Sequence, residues 1–297
     1  MSACALTPNF KGFEPKNQDF LYAYNSGMAA IDLTKLDNQI QELLTLAGEP
    51  KAFQRQFHSL LSFYHRYSHR AHKDAIPMSF MRHYDLPEKV LLTLQNQLKA
   101  LDPERVLPIA SQLWEDDYFE ARDTAASLLG QLPLEYKQQT LQMITDWISE
   151  PLDRAVVESV FSKANRTVTA KAMSEWTQLV SSLISSASHH QQKMGLLALT
   201  KLIPEMNSDD LPTIFRWVRP FLIDRNRMHE AALIPVVGAL AKRSSQETAY
   251  MLREILADSN DEEIGRRFRH YLDFFEASTQ KRLQEAIKNQ VILPRSE

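Results

Sequence analysis

The residues whose types and spacing point most directly to chemistry lie between Lys51 and Lys73. That stretch, KAFQRQFHSLLSFYHRYSHRAHK, holds five Lys/Arg and four His and has no acid. On a helix, Phe53, Phe57, Leu60, Leu61 and Tyr64 form one apolar stripe, while Arg66, His69, Arg70 and Lys73 gather on another face at steps of three and four. Like charges so spaced repel, so this face needs anions, either Asp/Glu from a neighbouring helix or phosphates from a ligand. His65, His69 and His72 fall at i, i+4 and i+7 and imitate a metal-ligand set. Three fixed cations, Arg66, Arg70 and Lys73, flank them and repel a dication, and no carboxylate completes the set, so no metal site is expected. A second basic region comprises Arg216, Arg219, Arg225, Arg227 and His229, opposed only by Asp224, and a third holds Arg266, Arg267 and Arg269.

Other chemistries lack their machinery. No GxxxxGKS, GxGxxG, HExxH or GxSxG motif occurs, which removes the usual bases of nucleotide hydrolysis, dinucleotide chemistry and the common hydrolase mechanisms. No cofactor is expected. Paired carboxylates are frequent and read as solubilising, with Glu115, Asp116, Asp117, Asp261, Glu262 and Glu263 at turns. Trp114, Trp147, Trp176 and Trp217 each fall near the end of a first helix and read as core.

The elements that must position these residues are helical. Only 7 glycines occur in 297 residues, and long stretches are dominated by residues that lose little side-chain entropy in a helix. Residues 1–33, with Pro8, Gly12, Pro15 and Gly27 among scattered aromatics, read as an irregular arm, residues 34–290 as one repeat domain and residues 291–297 as a tail. The helix endings at Trp114, Ile148, Ile184, Leu222 and Ala257 stand 34, 36, 38 and 35 residues apart. Each leads through a short polar turn into a second amphipathic segment, such as Glu120 to Leu129 or Arg227 to Leu240. A helix-turn-helix period of this length predicts an all-α fold, a curved solenoid of HEAT-like hairpins, because one hairpin cannot bury its apolar face alone. Pro108, Pro212 and Pro235 lie within helical patterns and predict kinks.

The formal net charge is −3, so attraction to nucleic acid or to an anionic membrane requires a local patch. The lone Cys4 excludes an internal disulfide and a thiolate zinc cluster and suits a reducing, cytoplasmic compartment. The opening residues lack the pattern of a secretion signal, and no apolar run reaches the length of a membrane span.

The stretch Leu113 to Leu129, LWEDDYFEARDTAASLL, together with Trp176 and the following helix to Leu199, resembles the HEAT-like DNA alkylation repair glycosylase family. The resemblance implies a basic concave face that binds duplex DNA and excises cationic alkylated purines. It further implies tryptophans packed near the lesion and an acidic residue that stabilises the developing positive sugar. The family's Trp-Asp-x-x-Asp-like helix start falls by repeat register on Leu152 to Glu158, LDRAVVE, which has no tryptophan and offers Glu158 as its nearest acid. The basic position of the next unit falls near Gln192 and Lys193, and a later aromatic position near Pro235.

Two functions from different classes follow. The leading expectation is a non-catalytic adaptor whose concave groove binds a protein partner through Arg66, Arg70, Lys73, Arg216, Arg219 and Arg227, with Lys193 a further binding residue. The alternative is a DNA-binding glycosylase for alkylated purines, with Glu158 as the electrostatic carboxylate and Lys193 as a phosphate contact.

Overall fold

A computed structural model describes residues 31–65, 81–224, 227–259 and 261–292. Among them every regular element is helical, apart from one isolated parallel bridge between Arg82 and Tyr118. In chain order the helices are α1 (Leu33–Thr45), α2 (Pro50–His65), α3 (Glu88–Gln97), α4 (Pro103–Trp114) and α5 (Phe119–Leu129). They continue as α6 (Lys137–Trp147), α7 (Arg154–Ser159), α8 (Arg166–Lys171), α9 (Met173–Ile184) and α10 (His189–Leu202). The last are α11 (Leu211–Ile223), α12 (Glu230–Arg243), α13 (Ser245–Asp258), α14 (Glu262–Phe268) and α15 (Ala277–Ile292). The chain therefore stays helical through Ile292, slightly past the boundary read at 290, and the tail beyond 292 lies outside the described residues, as does nearly all of the arm.

Short polar side chains start many of these helices by satisfying free backbone N–H groups. Asp32 accepts from the Lys35 amide at 3.1 Å, Asp102 from Glu104 at 3.2 Å, Asp153 from Ala155 at 2.8 Å and Asp261 from Glu263 at 3.0 Å. The apolar stripe expected on α2 is buried, with Phe53, Phe57, Leu60, Leu61 and Tyr64 all in the core. The five sequence endings coincide with the ends of α4, α6, α9, α11 and α13, to within one residue.

Two hairpins, α4–α5 and α9–α10, pack most closely. From α5 a row of second helices runs onward: α5 packs on α7, the turn after α7 packs on α10, α10 on α12, and α12 on the 3-10 stretch Arg269–Phe274. Close approach along this row and within the hairpin α9–α10 needs glycine. A Cβ on Gly130 would stand 1.8 Å from the Lys163 carbonyl oxygen, and one on Gly195 would stand 2.9 Å from the Ile184 nitrogen.

Some local readings are corrected. Pro108 and Pro235 do lie inside helices, but Pro212 occupies the first turn of α11, where a proline's missing N–H costs nothing, and the interior proline of that helix is Pro220. Trp114 and Trp147 end α4 and α6 as expected, whereas Trp176 sits in the first turn of α9 and Trp217 midway along α11. Trp114, Trp147 and Trp176 are buried, and Trp114 stacks on Trp147 with ring centroids 4.1 Å apart at 6°. The rings thus fill the gap between successive units.

Candidate functional site

The α5 sequence FEARDTAASLL is buried on almost every side, and its acids are buried with it. Asp123 is only 3% exposed and accepts three hydrogen bonds: from Ser159 Oγ at 2.5 Å, Lys163 Nζ at 2.7 Å and Gln95 Nε2 at 2.8 Å. A buried carboxylate is tolerable only when charge-paired and fully hydrogen-bonded, as here. Its partners come from α3, from the end of α7 and from the π turn Val160–Ala164 that continues α7. The wider π turn shifts the register of α7 and lets Lys163 reach Asp123, a local distortion often found beside functional sites. Asp123 thereby fixes α7 against α5.

Glu158 lies immediately before Ser159 and points the other way. Its side chain is 62% exposed and forms an ion pair with Lys201 of α10. Lys193 is also exposed, two helical turns earlier on α10. Arg154 adds an exposed cation one turn before Glu158 on α7. One carboxylate and three cations therefore occupy the solvent-facing sides of two neighbouring helices. The chemistry open to these residues is phosphate binding by the cations, with one carboxylate held against Lys201.

A second polar centre lies at the start of α5. His58 Nε2 meets Asp116 Oδ2 at 2.6 Å, and His58 Nδ1 meets the Tyr84 hydroxyl at 2.8 Å. Tyr84 stacks on Tyr118 at 4.3 Å. Burial pushes the Asp116 carboxyl upward, but hydrogen bonds from His58, the Tyr118 amide and Gln54 outweigh it and hold the group below the usual carboxylate value. Burial raises the Tyr84 phenol, so the linked residues favour an undissociated tyrosine over a nucleophilic phenolate. Beside them Glu120 is buried, accepts from the Tyr84 amide at 2.8 Å and has its carboxyl pushed up by burial. Asp116 was expected to be a solvated turn residue; with Glu120 and Asp123 it is instead an internal acid.

The other expected residues separate. Arg66, Arg70 and Lys73 lie outside the described residues, together with His69 and His72. Arg227 opens the 3-10 turn Arg227–His229, and its side chain is also outside the described set. Arg216 is exposed on α11, and Arg219 reaches α13, bonding Glu254 at 2.5 Å and Asp258 at 2.9 Å. His229 adds no surface charge, because it is buried and burial pushes its imidazole pKa down. Arg267 likewise turns inward, donating to the Asp224 carbonyl at 2.6 Å and the Leu222 carbonyl at 2.5 Å, where it caps the end of α11. The position expected to carry an aromatic is Pro235, inside α12. Among the described residues no group of three His, Cys, Asp or Glu is placed to hold a metal ion.

Sequence reasoning missed Lys201 and the Asp123–Lys163 pair. Lys201 stands two turns beyond Lys193, so a search of the whole α10 face rather than one register position would have found it. No curated protein matches the chain. The family model described as DNA alkylation repair enzyme matches residues 87–260, which contain α5, α7, α10 and every residue of the Glu158 face. That match covers more than half of the sequence, and the chain belongs to the DNA alkylation repair enzyme family.

Proposed function

We propose that this protein binds alkylated duplex DNA and releases the cationic purine base, with Glu158 as the carboxylate that stabilises the positive charge developing on the deoxyribose as its bond to the base breaks and water adds in the base's place. The observation that carries this reading is the Glu158–Lys201 pair, set on exposed helix faces inside the family match. The family match favours repair over the adaptor reading. In this account the row α5, α7, α10 and α12 is the inner face of a HEAT-like solenoid, which aligns Arg154, Lys193 and Lys201 along one phosphate backbone. An exposed ion pair contributes little to stability, so Lys201 can exchange Glu158 for a phosphate at small cost. That exchange frees the carboxylate at the moment when DNA is present. Fixed charge aimed at a developing oxocarbenium ion is the kind of electrostatic stabilisation that accelerates such a bond cleavage.

The test is binding to a labelled duplex carrying one N-methylated purine, measured across a salt series. Affinity should fall steeply with salt, and replacing Lys193 and Lys201 by Ala should reduce the slope of log K against log salt by about 1 per lysine. An unchanged slope would remove both lysines from the interface. A flat salt response in the wild type would count against DNA binding altogether.

A further inference from the structure

A groove of about 1130 Å³ lies between α11, α13 and α15, away from the α7 and α10 face, and shares no residue with it. Pro212, Glu247 and Glu276 line it near the helix starts, and Arg219, Arg253 and Arg282 line it further along the same three helices. Glu254, beside Arg253, and Arg216, one turn beyond Pro212, line it as well, so the groove mixes carboxylates and guanidinium groups along its length.

Arg219 is already engaged by Glu254 and Asp258. Arg216, Arg253 and Arg282 are exposed and have no carboxylate partner among the described residues. Beside them lie Phe215 and Tyr250, and Tyr250 is 61% exposed, unusual for a large aromatic side chain. Exposed arginine and tyrosine converging on one concavity is the composition of an interaction hot spot.

We infer that this groove binds an acidic segment of a partner protein, with an apolar side chain against Tyr250 and Phe215 and carboxylates on Arg216, Arg253 and Arg282. Charge favours a peptide over nucleic acid. A phosphate backbone carries charge at every residue and would also meet the lining carboxylates Glu247 and Glu276, whereas a peptide can place its acids only where the unpaired arginines lie. α11 and α13 lie within the family-matched residues and α15 beyond them, but the groove shares no residue with the Glu158 face, so this surface does not rest on the repair reading.

The experiment is panning of a random peptide library on the full chain, followed by affinity measurement of enriched peptides on wild type and on R216E/R253E/R282E. All three positions are exposed, so the variant should melt like the wild type and bind methylated duplex as well as it does. Enriched peptides should interleave Asp or Glu with Leu, Phe or Trp, and should bind the variant at least tenfold more weakly. No enrichment, enriched peptides without acids, or unchanged affinity for the variant would overturn the inference. So would competition by duplex DNA accompanied by loss of DNA binding in the variant, which would make the groove a nucleic-acid surface.

Discussion

Glu120 stands where a carboxylate gains least from its charge, buried at the start of α5, with Oε1 on the Tyr84 amide and Oε2 unpartnered. Burial, opposed by backbone hydrogen bonds, raises its carboxyl above the ordinary value of 4.5. A carboxyl whose folded pKa is raised holds its proton longer in the folded chain, so it lowers stability as pH climbs above the unfolded value and through the folded one. Glu120→Gln removes that titration and keeps an acceptor for the amide. Its melting temperature should gain on the wild type as pH rises from about 4.5 to about 7; a gap independent of pH would show that Glu120 does not titrate in this range. Asp116 behaves with opposite sign, because its lowered carboxyl contributes stability that is lost as pH falls through the folded value. Neither acid was legible in the sequence. Among short turns and small residues, WEDDYFEARD reads as a solvated acidic segment, and only packing against α2 and the loop holding His83 and Tyr84 turns it inward.

At the scale of elements, the π turn after α7 is the part that holds α7, which carries Glu158, against α5. Gly130, at the end of α5, lets the turn approach so closely that an added Cβ would meet the Lys163 carbonyl oxygen at 1.8 Å. Thr167 fastens the same place by donating to the Gly130 carbonyl at 2.8 Å. Gly130→Ala must therefore displace backbone, and overpacking of this kind costs about 1–3 kcal/mol. Thermal or denaturant unfolding should register the loss, and a variant as stable as wild type would mean that α7 can shift without penalty. The helices themselves were largely legible, because the period of Phe53, Phe57, Leu60, Leu61 and Tyr64 demands one buried face. The π turn was not, since no local residue pattern in RAVVESVFSKA distinguishes it from a continued α-helix. It forms because Asp123 and Gly130 lie opposite, and those contacts span 30 or more residues of sequence. Helix α5 was legible as a helix but not as a helix buried all round, because alanine, serine and threonine give it little amphipathic contrast.

For the whole molecule, the spacing of helix endings predicted the succession of hairpins, and family membership turns the balance of function toward repair. Net charge pointed the other way. A total of −3 suggested a protein partner, yet internal acids such as Asp116, Glu120 and Asp123 contribute to that total without facing a ligand. Among solvent-facing residues α7 and α10 carry Arg154, Lys193 and Lys201 against the single acid Glu158, which pairs with Lys201. No helix of the described residues is long and apolar enough to cross a membrane. The most direct test of the account is single-turnover release of a methylated purine from duplex DNA by wild type and by Glu158→Gln. Wild type should release the base, and the variant, which keeps its fold because Glu158 is exposed and should bind DNA at least as tightly because Lys201 no longer has to leave a carboxylate, should release it about a hundredfold more slowly. Equal rates would contradict the role of Glu158, and no release by the wild type would contradict the enzymatic reading itself.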